Sequence, residues 1–179
     1  MNPQEKNTYV KQQITKALVS LMKKKKITDI SISEICDKAQ VGRASFYRNY
    51  DSKEEVIEKY TESLILTWAD EIDMDPAANI YNFFASLFKH FQDNSSFYKV
   101  LYKQNMSPMI LNAIRKKLNV FPDIDPTALY RSAYIAYGIF GWIDIWFSNG
   151  MKETPEELNR IIVNNINTMI KGAKALEEL

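Results

Sequence analysis

Apolar residues along this chain recur at three- and four-residue spacing almost throughout, the period of helices that bury one face. Val10, Ile14, Ala17, Leu18 and Leu21 mark a first amphipathic helix ending near the run Lys23 to Lys26. Ile32, Ile35, Cys36 and Ala39 make a second, short stripe, with Ser33, Glu34, Asp37 and Lys38 on the opposite face. Its start is marked by Ser31-x-x-Glu34, a capping box, over which Ile30 and Ile35 are placed as a hydrophobic staple. Gln40-Val41-Gly42 breaks the pattern, and Gly42 is placed to cap another short helix from about Arg43 to Asn49 with Phe46 and Tyr50 inward.

Asp51 to Glu55 offers overlapping caps for a long helix through Val56, Tyr60, Leu64 and Trp68 to about Met74. Four cap-proline pairs then punctuate the chain: Asp75-Pro76, Ser107-Pro108, Asp125-Pro126 and Thr154-Pro155, the last extended to a capping box by Glu157. They predict helices over about 76–92, 95–104, 108–119, 126–148 and 155–175. No alternating β-branched run argues for a sheet. The expected fold is all-α with about nine helices: an N-terminal three-helix domain over residues 1–51 and a helical domain over residues 52–179.

Two short helices joined by a tight turn are the layout of a helix-turn-helix reader of DNA. Outward positions of the second helix carry Arg43, Ala44, Ser45, Tyr47, Arg48 and Asn49. These combine forked donors, a small apolar group and hydroxyls, the side chains that read base edges and grip phosphates. Lys53 lies in a first helical turn, where a cation opposes the helix dipole but exposed amides plus an ammonium suit a phosphate. Ser31 and Ser33, at the start of the Ile32 helix, are also placed to touch the phosphate backbone.

The segment from about Val10 to Leu64 resembles the N-terminal domain of the TetR family of transcriptional regulators. The resemblance rests on Ile32, Ile35, Ala39, Val41, Phe46, Tyr47, Tyr50, Ser52, Lys53 and Glu54 at the family's spacing. Two positions depart: Gln40 stands where the family usually has Gly, and Gly42 where it usually has Ser or Thr. A left-handed Gln40 would cost on the order of 1 kcal/mol, and Gly42 supplies no side-chain cap. The resemblance implies a homodimeric DNA-binding regulator, ordinarily a repressor, released when a small molecule enters the C-terminal domain. Phe140 to Leu158, FGWIDIWFSNGMKETPEEL, resembles the dihydroxyacetone-kinase-regulator subgroup, for which a protein partner is the alternative input.

Charge sharpens this picture. Residues 1–50 hold ten Lys/Arg against four Asp/Glu, a balance of +6, and residues 51–179 hold thirteen against eighteen, a balance of −5. The basic part is the part with the turn motif, as an electrostatic footprint for phosphates requires. The lone cysteine, Cys36, sits on the buried stripe, so it reads as a small hydrophobe in a reducing cytoplasm rather than a redox sensor. The N-terminus has no apolar signal region, and the longest apolar stretch, Tyr134 to Ile143, is far shorter than a membrane span.

Enzyme chemistry finds little footing. His90 is the only histidine and has no cysteine or histidine cluster around it for zinc. Asp70, Glu71, Asp73 and Asp75 lack the glycine and distal glutamate of a calcium loop, and read as a solvated helix end. No metal, cofactor or catalytic residue is expected. The aromatic-rich body suggests instead an apolar effector pocket whose polar anchors would be His90, Tyr98, Tyr102, Arg131, Tyr134, Tyr137 and Trp142.

The final helix carries a seam of Leu158, Ile162, Ile166 and Met169, while Gly138 and Gly141 permit close approach on the helix before it. The TetR resemblance implies that this pair forms a four-helix bundle with its twin. The rival readings are a TetR-fold protein-interaction adaptor without specific DNA binding, and an enzyme using the aromatic pocket.

Overall fold

The computed structural model describes residues 2–77, 79–121 and 125–177, without the side chains of residue 80 and residues 172–177. Among these residues there is no strand, and the helices are α1 Pro3–Met22, α2 Ile32–Ala39, α3 Arg43–Tyr47, α4 Lys53–Met74, α5 Ile80–Asp93, α6 Ser95–Lys103, α7 Pro108–Lys117, α8 Pro126–Ser148 and α9 Pro155–Glu177, with a 3-10 turn at Ile27–Asp29. No described helix is long and apolar enough to cross a membrane.

Local chemistry accounts for most boundaries. α1 starts earlier than its apolar stripe, because Asn2 caps it, Glu5 returns the bond to complete a capping box, and Pro3 suits the first helical position. Asp125 accepts from the Ala128 amide at 3.0 Å, and Thr154 and Glu157 form the expected box at the head of α9. Asp75-Pro76 does not start a helix, contrary to expectation. The Asp75 carboxylate instead accepts from the Ala77 amide in a turn, and α5 begins after Asn79, which makes a capping box with Asn82.

The chain forms two compact units, Met1–Ile65 with Ser96–Ile114 and Leu66–Ser95 with Arg115–Leu179. The division does not fall at residue 51: the first half of α4, most of α6 and much of α7 join the N-terminal helices. In the first unit Ile14, Leu18, Met22, Ile35, Phe46, Ile57, Tyr98 and Leu101 are fully buried. In the second, α5 packs along α9. Asn159 of α9 fastens them by accepting from the Ala85 amide and donating to the Tyr81 carbonyl. Phe88 meets Trp146 edge-on at 5.1 Å, and the Trp146 indole donates to the Glu153 carbonyl at 3.0 Å, which satisfies the polar end of a buried ring. Lys117 bridges Asp70 and Asp73 at 2.9 Å each, so those carboxylates serve an ion-pair cluster.

Candidate nucleic-acid interface

The reader is assembled from its caps upward. Ser31 Oγ accepts from the Glu34 amide at 3.2 Å while Glu34 Oε2 accepts from the Ser31 amide at 3.0 Å. Lys25 pairs with the other Glu34 oxygen at 2.6 Å, and that contact, followed by the Ser31 amide, holds the carboxyl below its ordinary range. The cap therefore keeps its anion to a lower pH than a free glutamate would. Ile30 and Ile35 are buried on either side of it, as a staple requires. Ser31 is exposed with its hydroxyl committed to the cap, and Ser33 is half-buried.

The turn closes as a complete Schellman motif. Gln40 is left-handed at φ 55°, its amide donates to the Asp37 carbonyl at 3.2 Å, and the Val41 amide donates to the Cys36 carbonyl at 3.0 Å. Gln40 thus occupies the strained position expected of it. Gly42 follows at φ −72° with no side-chain cap, and a Cβ there would meet nothing within 4 Å. Burial pushes the Cys36 thiol up, which keeps it protonated beside Ile35 and suits a packing residue.

α3 is shorter than its sequence pattern, because after Tyr47 the Asn49 amide tightens onto the Phe46 carbonyl at 2.9 Å. Phe46 and Tyr50 are buried with ring centroids 5.9 Å apart. Tyr50 bonds to Thr15 of α1, and burial raises its hydroxyl above the usual range. This anchor fixes the rotation of α3. Arg43, Ala44, Tyr47 and Arg48 are left exposed, while Ser45 and Asn49 are half-buried. Arg48 Nη2 donates to Ser45 Oγ at 3.0 Å, which holds one guanidinium in place along the helix. Asn49 spends one amide donor on the Ser45 carbonyl at 2.8 Å. Two exposed forked cations around a small residue form a convex ridge able to donate pairs of hydrogen bonds to guanine edges or phosphates.

Lys53 departs from its expected freedom. Its ammonium donates to the Ile30 carbonyl at 2.8 Å and the Thr28 carbonyl at 3.2 Å, so two of its three donors hold the connector that leads into α2.

The residues expected to line one effector pocket fall in both units. Tyr98, fully buried, and Tyr102, half-buried, belong to the first unit, where burial pushes the Tyr98 hydroxyl far up. His90, Arg131, Tyr134, Tyr137 and Trp142 belong to the second. There His90 lies 6.0 Å from the Trp68 ring, and burial lowers it to about 4. Trp142 is half-buried, edge-on to Phe84 at 5.1 Å. Arg131, Tyr134 and Tyr137 are exposed on α8, where helical spacing puts them on the surface instead of beside His90.

The expected seam on α9 is also corrected. Ile162 is 2% exposed, and Leu158 and Ile166 are half-buried, because this stripe forms the face that packs on α5. The uncovered apolar residues of α9 are Ile161, Met169 and Ile170, and those of α8 include Tyr130, Tyr134, Tyr137 and Ile145. Gly138 is exposed and Gly141 half-buried near the middle of α8.

A capped helix, a Schellman turn and a short cationic helix define the N-terminal part as a helix-turn-helix module of the kind found in transcriptional regulators. Residues 14–60 match the family model of bacterial regulatory proteins of the tetR family. Residues 78–168, more than half of the chain, match that of a transcriptional regulator C-terminal region. The chain belongs to the TetR family of transcriptional regulators.

Similar solved structures include Lin0861 from Listeria innocua, with TM-score 0.75 and 16% identity over 94% of this chain and 95% of that one. Another is the dihydroxyacetone kinase operon activator DhaS, with TM-score 0.61 and 23% identity over 90% of this chain and 96% of that one. At these identities the likeness is one of fold. No curated protein matches the sequence.

Proposed function

We propose that this protein is a cytoplasmic homodimeric repressor that binds a pseudo-palindromic DNA operator through α3 and is released by a small-molecule effector. The observation that carries the DNA-binding reading is the exposed set Arg43, Ala44, Tyr47 and Arg48 on a helix whose rotation is fixed by buried Phe46 and Tyr50. A structural helix has no need of two unpaired-by-acid arginines at its surface. Ser45 and Asn49 steady this ridge and offer their remaining polar atoms to DNA, and the third donor of Lys53 is available to a phosphate.

A symmetric dimer presents two such ridges to half-sites about one helical turn apart. Its interface, in this reading, is built from the uncovered residues of α8 and α9 around Gly138 and Gly141, with Met169 retained from the expected seam. Residues 1–51 together with Lys53 supply the DNA contacts, and the rest of residues 52–179 supplies dimerisation and effector binding. Selection from random duplexes tests the proposal: a two-fold symmetric motif supports it, and failure to recover one leaves a protein-interaction adaptor. Because DhaS is called an operon activator, the sign of regulation is decided separately, by transcription from the selected site with and without the protein.

A further inference from the structure

The connector between α1 and α2 is held from two distant parts of the chain. Gln104 Nε2 donates to the Met22 carbonyl at 2.8 Å and to the Lys25 carbonyl at 2.9 Å, and its Oε1 accepts from the Ile27 amide at 3.1 Å. Three of its hydrogen-bonding sites are therefore spent on six residues of backbone some eighty positions earlier in the chain. Met22 ends α1, so its carbonyl is one of those a helix leaves without an internal partner. Ile27 opens the 3-10 turn, whose far end runs through Ile30 into the Ser31 cap of α2. Lys103 adds a bond to the Lys23 carbonyl at 3.3 Å.

Gln104 is itself held firmly. It directly follows α6, where its amide bonds to the Val100 carbonyl at 3.0 Å, and the left-handed Asn105 lets Met106 return to the Leu101 carbonyl at 2.8 Å. From the other side Lys53 grips Thr28 and Ile30 of the same connector. The backbone that delivers α2 to its place is thus clamped between the start of α4 and the end of α6. An amide side chain is the one type that supplies both donors and the acceptor used here; a carboxylate has no donor and an ammonium no acceptor.

We infer that Gln104 is a positioning residue for DNA recognition, holding α2 at the angle that α3 needs although it lies far from the helix-turn-helix motif and contacts no base. The inference rests on the DNA-binding reading above.

The test uses the full-length protein with Gln104→Met, which keeps length and volume but loses all three bonds, and Gln104→Glu, which keeps only the acceptor. Hydrogen exchange of the Ile27 amide should accelerate roughly tenfold or more in Gln104→Met. At a temperature where circular dichroism shows both proteins fully folded, affinity for the selected duplex should fall about tenfold in each variant. The slope of log affinity against log salt should also become shallower as phosphate contacts near α2 are lost. A loss of affinity seen only at temperatures where circular dichroism shows partial unfolding, with the salt slope unchanged, would make Gln104 merely structural and overturn the inference. Affinity within twofold of wild type in either folded variant overturns it as well. If the wild type selects no duplex, the DNA-binding reading fails by itself, and unchanged exchange at Ile27 in Gln104→Met would still show that the clamp is absent.

Discussion

Ile162 and Met169 both belong to the apolar stripe of the final helix, yet the structure gives them opposite jobs, and substituting each separates packing from assembly. Ile162 is 2% exposed on the face of α9 that meets α5, whereas Met169 is 62% exposed and Tyr134 on α8 is 70% exposed. Ile162→Ala removes three carbons from a filled site and should cost about 2–4 kcal/mol. For a chain of this size that lowers the melting temperature by roughly 5–15 °C.

Met169→Glu with Tyr134→Glu should leave the fold of a protomer within about 1 kcal/mol, since both side chains stand in solvent there. In a dimer the same changes put charges into a desolvated seam. A penalty of about 3 kcal/mol, the scale for an unpaired buried charge, raises the dissociation constant more than a hundredfold. Thermal melts followed by circular dichroism, run at several concentrations because a dimer's melting temperature depends on concentration, measure the first effect. Light scattering across a dilution series measures the second. A double glutamate variant that stays dimeric, together with an Ile162→Ala protein that melts like wild type, would show that the two faces of α9 have been assigned the wrong way round.

Other substitutions probe the reader and the body. Gly42→Ser should stabilise by about 0.5–1 kcal/mol, because the backbone there suits any residue, nothing crowds a Cβ, and the serine supplies the missing cap; an unchanged urea midpoint would contradict this. Arg43→Ala and Arg48→Ala should each cost ~1–3 kcal/mol of discrimination at one base pair, whereas Lys53→Ala should weaken all sequences alike and also lower stability by freeing Thr28 and Ile30; repeated duplex selection on each variant separates the two outcomes. His90 falls from 6.5 to about 4 through burial, so the unfolded chain binds the extra proton between those values. Its contribution is full above pH 6.5 and is lost as pH falls toward 4, by at most about 3 kcal/mol; His90→Leu should flatten the denaturation free energy across that window, and an unaltered profile would refute it.

The helix-turn-helix was legible in sequence because every device that builds it is local. The Ser31–Glu34 box, the Ile30–Ile35 staple and the Gly42 start lie within one turn of what they control, and those flanking starts fix the register that turns Cys36 and Phe46 inward. Proline pairs were less reliable. Asp75-Pro76 and the Asn79–Asn82 box are competing starts a few residues apart, and the reciprocal asparagine bonds prevail. On α9 the adjacent Ile161 and Ile162 allow two registers of stripe, and only packing on α5 decides which is inward. The α8 anchors illustrate the same difficulty: Tyr130, Tyr134 and Tyr137 share one stripe by spacing, and pattern alone does not say whether that stripe faces inward, whereas the structure leaves all three exposed. Lys53 and Gln104 act across 23 residues or more, a distance at which residue pattern carries no pairing information.

Operator binding tests the account most directly. Full-length protein mixed with a pool of random duplexes should enrich a motif with two-fold symmetry and half-sites about ten base pairs apart. Its footprint should cover both halves, and the affinity should fall steeply between low and physiological salt. Enrichment of no symmetric motif, or binding that ignores salt, would contradict the claim that Arg43 and Arg48 present a DNA-reading surface.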